Sequence, residues 1–504
     1  MGTLFQVNEN RFNAKNPFVE GNSFIGKKTN NEPLPVYEEI KNRLPRPVWE
    51  GHEDVIHCYD KAWEIAFRNL RKANLEAGFV SDFIDTAFNG FLFMWDSAFI
   101  LQFGKYANRI FDFQQTLDNF YANQHKDGFI CRELCEEQKG AMWARDNPES
   151  TGPNILAWAE WEYYLQTGDK ARIARVFDPL CGFHKWLQYN RSWPDGSYWS
   201  CNLSCGMDNQ PRIDPRLDRA DNHTHGFMSW IDTCAQQYLN GVILVKMAKV
   251  LGRESEVQWL KSEAELLENT VLHTMWSEKD SFYFDKFRDG KLSNVKSVGA
   301  YWTLLADLVP EARRDAFVAH LNNEKEFKRP NRVPALSADH PAYDRVNGDY
   351  FKGGVWASTN YMVLKGLEKH GYHQLAYEIA TDYLRNVVEV FCRYDTLFEN
   401  YAPECAAPGR AKPDFVGWTG LAPISILFEF VFGIKADAQN RKITWHINRT
   451  EGHGIENYPL GDATVDLFCE KRNSPQEKPV VRVKSDLPVE AEILWNGKRE
   501  IIKA

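Results

Sequence analysis

The stretch Pro153-Asn154-Ile155-Leu156-Ala157-Trp158-Ala159-Glu160-Trp161-Glu162-Tyr163-Tyr164-Leu165-Gln166 decides the reading of the fold. Its apolar residues recur three and four positions apart, the period of one helix face. Pro153 suits a first-turn position, where a missing N–H costs nothing, and Gly168 follows as a stop. The spacing therefore predicts a helix over 153–166. Working outward, the same period recurs near 53–77, 96–106 and 109–123 on one side. On the other it recurs near 171–190, 227–250, 254–269, 298–308, 311–321, 356–370, 372–391 and 419–432. Twelve such helices with almost no strand alternation between them predict a mainly α protein. Running in alternating directions, they form six hairpins that can close into a ring, an (α/α)6 barrel over residues 51–435.

Residues 1–50 are rich in Asn, Pro and Gly and show no sustained period, which predicts an N-terminal arm laid over the main body. From about residue 441 the period changes to two, in Ile443-Thr444-Trp445-His446-Ile447, Thr464-Val465-Asp466-Leu467-Phe468 and Val480-Val481-Arg482-Val483. Alternation of that kind marks strands. A small β domain over 436–504 is the expected end of the chain.

The connections carry the first functional signal. Those leaving the second helix of each hairpin are short: 107–108, 167–170, 251–253, 309–310 and Gly371. Those inside each hairpin are long: 78–95, 124–152, 191–226, 270–297, 322–355 and 392–418. In a closed ring all the long ones open on one rim, and long loops on a rigid scaffold are where function usually sits.

Composition narrows the classes of partner. The formal charge is −9 over 504 residues, with no long basic run, so nucleic acid and anionic membrane surfaces are poor partners. No stretch of about 18 apolar residues offers a membrane span. The N-terminal sequence has neither a basic start nor an apolar signal core, and a cytoplasmic location is expected. The ten cysteines form no disulfide framework; Cys131/Cys135 and Cys201/Cys205 lack the spacing of a zinc site. His223 and His225 have no third ligand at a recognisable distance, so neither metal nor cofactor is expected. By contrast, 17 Trp and 20 Tyr suit a carbohydrate ligand, whose C–H faces stack on flat rings.

The long loops gather polar groups of matching chemistry. They hold Trp95-Asp96-Ser97, then Gln124, Asp127, Arg132 and Asn147, then Asp208-Asn209 with Arg212. Further along come Trp356 and Asn360, then Glu399, Tyr401 and Trp418. Carboxylates and amides hold sugar hydroxyls, and indoles give stacking faces. Glycoside hydrolysis needs one protonated carboxylic acid at the leaving oxygen and one ionised carboxylate opposite it. Asp96, Asp127, Asp208, Asp214, Glu399 and Glu404 all lie on the rim, and pattern alone does not choose among them. Each of these residues also has a structural reading. Asp127-Gly128 can be a turn, Arg212 can pair with Asp214 or Asp218, and Trp95 and Trp356 can be core. A sugar epimerase or lyase on the same scaffold would use His pairs or His/Tyr/Arg, and a non-catalytic carbohydrate-binding protein would keep the acids as hydrogen-bond partners.

Five segments in order resemble glycoside hydrolase family 63, and more distantly the family 37 trehalases. They are Trp95-Asp96-Ser97, Gly206-Met207-Asp208-Asn209-Gln210-Pro211-Arg212, Gly354-Val355-Trp356, Thr359-Asn360-Tyr361 and Glu399-Asn400-Tyr401-Ala402-Pro403-Glu404. The mannosylglycerate and glucosylglycerate hydrolases are the members of similar size. Two departures are visible: no Pro follows Gly354, and Met207 stands where Trp is commoner. The resemblance covers roughly residues 80–430. It implies an inverting hydrolase of a small α-linked glucoside or mannoside, with Asp208 as general acid and Glu399 as general base.

Overall fold

The computed structural model describes residues 16–29, 32–86, 89–137, 139–217 and 221–504. The stretch read first forms the helix Leu156–Thr167. Gly168 ends it in a left-handed conformation (φ 71°), and its N–H donates to the Tyr164 carbonyl. Trp158 and Tyr164 on this helix are buried, and so is Glu160, which pairs with Arg172 and accepts from the Tyr121 hydroxyl.

Leu156–Thr167 packs on Met94–Gly104 and on Ile231–Leu251. Ile231–Leu251 reaches Trp302–Leu305, which packs on Ala357–Lys369, which in turn meets the segment 419–431. That last segment returns to Met94–Gly104. A helix enclosed on every side reads apolar all round. In Met94–Gly104 each residue except Asp96 is buried. A second set covers the first from outside. Glu53–Arg68 packs on Ala422–Val431, Lys170–Asn190 on Leu156–Thr167, Trp259–Thr274 on Ile231–Leu251 and His373–Tyr394 on Ala357–Lys369. These outer helices are amphipathic: Glu53–Arg68 buries Val55, Cys58, Tyr59, Ala62, Trp63 and Ala66 at three- and four-residue steps.

Several expected helices are shorter or differently wound. The one expected over 53–77 stops at Arg68, because Leu70–Arg71 pairs with Phe83–Ile84. That expected over 109–123 is a 3-10 turn, Phe113–Leu117, followed by Asp118–Ala122. There Phe113 turns inward onto Trp63 and Phe67 with Phe111 packed edge-on to it, and packing overrides local helical period. Between 298 and 308 the α-helix is confined to Trp302–Leu305, since Asp307 takes a positive φ of 67°. Ala422–Val431, expected as an α-helix, is a π-helix.

The strands expected at 443–447, 464–468 and 480–483 are present as Lys442–His446, Ala463–Cys469 and Val481–Ser485. Two four-stranded sheets hold them. The first has the order Arg46–Trp49, His453–Leu460, Ala463–Cys469, Val481–Ser485. The second runs Lys498–Lys503, Glu490–Trp495, Lys442–His446, Ile434–Asp437. Arg46–Trp49, inside the stretch read as an arm, is thus a sheet edge in register with Glu456 to His453. Ile434–Asp437 spans the 435/436 boundary read from the sequence. The sheets join the helical part through Tyr458, whose ring meets Tyr106, and through Trp445, whose indole N–H donates to the Phe432 carbonyl at 2.8 Å. Among the described residues no helix is long and apolar enough to cross a membrane.

Candidate active site

A cavity of about 350 Å³ opens where five of the six long connections meet; among the described residues none of 270–297 lines it. Asp96, Asp208 and Glu399 line it together with Arg132 and Tyr350, and Trp95, Trp418, Phe93, Phe351 and Phe415 form its aromatic walls. Asp462 belongs to a different cavity beside the sheets, and among the described residues none beyond Trp418 lines this one.

Asp208 follows Gly206, which ends the short helix Asn202–Cys205 at φ 77°. A Cβ on Gly206 would stand 2.8 Å from the Trp95 indole, so both the backbone shape and the close approach require glycine. The rest of that loop is fastened underneath. Arg212 is fully buried, its guanidinium bonded to both oxygens of Asp232 (2.5 and 3.0 Å) and of Asp285 (2.8 and 2.7 Å). Gln210 donates to the Ala335 carbonyl and accepts from Ser297. Burial pushes the Asp208 carboxyl up to about 6; Arg132 opposes that rise and the charge of Glu399 adds to it.

Glu399 lines the same cavity. Its Oε1 accepts from the Tyr350 hydroxyl at 2.7 Å and its Oε2 from the Lys412 N–H at 3.4 Å. Its backbone carbonyl accepts from the Trp418 indole at 2.7 Å. Burial raises its carboxyl above the ordinary glutamate value, and the Tyr350 hydrogen bond and Lys412 pull it down. Asp96 stands in the first turn of Met94–Gly104. Burial, then the charges of Glu399 and Asp208, hold it well above the usual carboxylate range. Burial thus favours the protonated form at all three carboxyls, and at Glu399 the Tyr350 hydroxyl and the Lys412 N–H oppose it.

Of the residues read from the sequence as site candidates, Trp95, Asp96, Arg132, Asp208, Glu399 and Trp418 meet in this cavity. Eight others do not line it. Trp356 is fully buried behind the wall, stacked on Phe351 with ring centroids 4.0 Å apart and planes at 2°. Gln124 lies under Lys170–Asn190, donating to the Pro179 and Gly128 carbonyls. Asp127 makes the turn to Phe129 and binds Arg145 and the Trp186 indole. Asn147 caps the 3-10 turn Pro148–Ser150. Asn209 bonds the backbone of Asp349 and Phe351. Asn360 donates to the Val333 and Trp356 carbonyls. Tyr401 is buried and its backbone pairs with Val355. Arg212 pairs with Asp232 and Asp285 rather than with Asp214; Asp218 lies outside the described residues.

The other rim acids are taken up in ion pairs. Glu404 binds Arg329 (3.0 and 2.7 Å) and the Tyr343 hydroxyl, and Asp214 binds Arg216. Sequence reading missed Phe93, Tyr350, Phe351, Lys412 and Phe415. For the pair Tyr350-Phe351 a signal exists: they lie between Gly348 and Gly353-Gly354, in a turn whose glycines crowd the backbone. Among the described residues no group of three or more His, Cys, Asp or Glu is placed to hold a metal ion. All ten cysteines are free thiols.

A cavity walled by indoles, with three facing carboxyls in unlike environments, is the equipment of a glycoside hydrolase. Residues 91–419 match the Mannosylglycerate hydrolase MGH1-like glycoside hydrolase domain, and the chain belongs to that family. It is 25% identical over 378 residues to an uncharacterized protein of Borreliella burgdorferi, covering 73% of this chain and 77% of that one. It is 21% identical over 188 residues to the mannosylglycerate hydrolase of Rubrobacter radiotolerans, covering 37% of this chain and 40% of that protein. Among solved structures, the family 63 mannosylglycerate hydrolase of Thermus thermophilus in complex with glucose superposes with a TM-score of 0.60. The identity is 20%, over 72% of this chain and 98% of that one.

Proposed function

We propose that this glycoside hydrolase cleaves a small α-linked glucoside or mannoside with inversion, using Asp208 as general acid and Glu399 as general base. The circuit of six contacting helical segments is then the inner layer of an (α/α)6 barrel, and the outer helices are its second layer. One observation carries the chemical reading: Asp208 and Glu399 line one cavity, burial raises both carboxyls, and Glu399 alone of the two has the Tyr350 hydroxyl and the Lys412 N–H donating to it.

In that reading the sugar stacks on Trp95 and Trp418, while Asp96, which keeps its proton, donates a hydrogen bond to a hydroxyl. Asp208 passes its proton to the glycosidic oxygen as the bond to the anomeric carbon breaks. Glu399 removes a proton from the water that attacks the opposite face, so the new C–O bond has inverted configuration. The cycle leaves Asp208 ionised and Glu399 protonated, and solvent resets both. Among the described residues no histidine lines the cavity, which disfavours the His-based chemistry of an epimerase. The test is incubation with trehalose, kojibiose, nigerose, glucosylglycerate and mannosylglycerate, with detection of the released sugar. Failure to release glucose or mannose from any of them would reject the substrate class.

A further inference from the structure

We propose that Asn209 is a positioning residue: it fastens the loop of Asp208 to the turn that carries Tyr350, and so holds the Tyr350 hydroxyl against Glu399. The inference deepens the acid/base reading and rests on it for the catalytic consequence alone. Asn209 Nδ2 donates to the Asp349 carbonyl at 2.7 Å, and Oδ1 accepts from the Phe351 N–H at 2.8 Å. One carboxamide therefore brackets Tyr350 on both sides. With both polar atoms taken by backbone, little is left for a sugar hydroxyl.

The bracketed turn needs such a tie. Asp349 and Tyr350 have φ of 30° and 68°, two successive non-glycine residues on the positive side, a conformation that persists only where surrounding contacts enforce it. Tyr350 O also accepts from Gly354 N at 3.0 Å, and a Cβ at Gly354 would stand 2.3 Å from that oxygen. Asp349 is held by Lys352 at 2.9 Å and Arg410 at 2.8 Å. These ties are local or come from the Glu399 side; Asn209 comes from the loop of Asp208. An amide fits the position because the two backbone groups demand one donor and one acceptor.

The groups facing Glu399 are Tyr350, Lys412, Asp96, Asp208 and Arg132, all on the wall of the same cavity. Tyr350 and Lys412 stabilise its ionised form directly. If Asn209 places Tyr350, removing either residue withdraws the same hydrogen bond and raises the Glu399 carboxyl.

The test needs no substrate. Protein carrying 13C at the glutamate carboxyls is titrated by NMR, with the Glu399 signal assigned by its absence from Glu399→Gln. Asn209→Ala and Tyr350→Phe are expected to move the Glu399 titration upward, and the double variant to move it no further than Tyr350→Phe does. Asn209→Ser, too short to reach both backbone groups, replaces Asn209→Ala if that variant does not fold. An unmoved Glu399 titration in a folded Asn209 variant, an unmoved titration in Tyr350→Phe, or additive shifts in the double variant would each overturn the proposal. Failure of the acid/base reading would instead show in turnover, with these titrations unaffected.

Discussion

The Tyr350 hydroxyl lies 2.7 Å from Glu399 Oε1, although the two residues are on different connections and 49 positions apart. Burial and the charge of Glu399 push the phenol far above its ordinary range, so it stays protonated and acts as the donor. The carboxylate is the acceptor, and the bond favours the ionised state a general base requires.

Tyr350→Phe keeps the ring, which packs edge-on to Trp356 and Phe351, and removes the donor. A hydrogen bond to a charged group is worth about 1.5–3 kcal/mol. The variant is therefore expected to lose roughly 10- to 100-fold in kcat/KM while still folding to the same structure. Initial rates on the substrate identified in the glycoside screen measure it, and an unchanged kcat/KM would mean that the hydrogen bond does not serve catalysis.

The pH profile follows from the directions of the carboxyl shifts. Asp208 must carry a proton to act as the acid, and burial places its titration near 6, so activity falls as pH rises through about 6. Glu399 must lose its proton, and its titration is raised above the ordinary glutamate value, so activity also falls as pH drops toward that region. The optimum is expected on the acidic side of neutrality. Because the three carboxyls face one another, the two limbs belong to the cluster rather than to single residues. A plateau of kcat/KM extending through pH 8 would remove Asp208 from the acid's role.

The same shift has a cost in stability. Asp208 binds its proton more tightly folded than unfolded, where its value is near 3.9. Between about pH 4 and pH 6 the folded state holds more protons, so stability falls as pH rises through that window. By linkage the loss above it is about 2–3 kcal/mol. Asp208→Asn has no such loss and is expected to be the more stable protein at pH 7. The difference should shrink toward zero below pH 4, as followed by denaturant unfolding at both pH values. Equal stability at pH 7 would show that Asp208 is not desolvated as its position implies.

What was legible in the sequence was whatever local period or turn chemistry dictates. Leu156–Thr167 with its Gly168 stop, and the strand Ala463–Cys469 with alternate residues buried, follow from residues within a few positions of one another. The helix expected at 109–123 is broken because Phe113 is recruited by Trp63 and Phe67, more than forty residues away in sequence. In the site, Trp95, Asp96, Asp208 and Glu399 were readable from their motifs. Asn209 and Arg212 stand in the same motif as Asp208, yet their side chains turn away to hold backbone and buried carboxylates. Position in a motif does not tell a residue that faces the cavity from one that supports it. Tyr350 escaped because its value lies in a contact with Glu399 that only the folded chain creates.

Arg212 supplies a direct check on that distinction. It is the cation between the buried carboxylates of Asp232 and Asp285, and its plane lies over Trp230 at 4.5 Å. Arg212→Met leaves two buried carboxylates with backbone donors but no counter-charge, which costs about 3–5 kcal/mol. Arg212→Lys cannot reproduce the two forks and is expected to be nearly as damaging. Denaturant unfolding should show both losses. A substrate-contacting arginine would instead raise KM with stability intact, and that result would restore Arg212 to the binding surface.

The stereochemical outcome decides between the two ways a carboxylate pair can cleave a glycoside. An inverting enzyme keeps its carboxyls about 6.5–9.5 Å apart, leaving room for a water, whereas a retaining enzyme brings them to about 5–5.5 Å for direct attack. In this cavity Glu399 is already engaged at both oxygens, by Tyr350 and by the Lys412 N–H. A carboxylate fixed in that way suits polarising a water better than swinging onto the anomeric carbon. Hydrolysis of an α-glycoside is therefore expected to release the β-anomer first, followed by 1H NMR before mutarotation sets in. Asp208→Asn and Glu399→Gln should each lower kcat by about 10²–10⁴-fold, the usual yield of general acid or base catalysis, with sugar binding retained on Trp95 and Trp418. First release of the α-anomer would turn Glu399 into a nucleophile, and a Glu399→Gln enzyme with near-normal turnover would move the base elsewhere in the cavity.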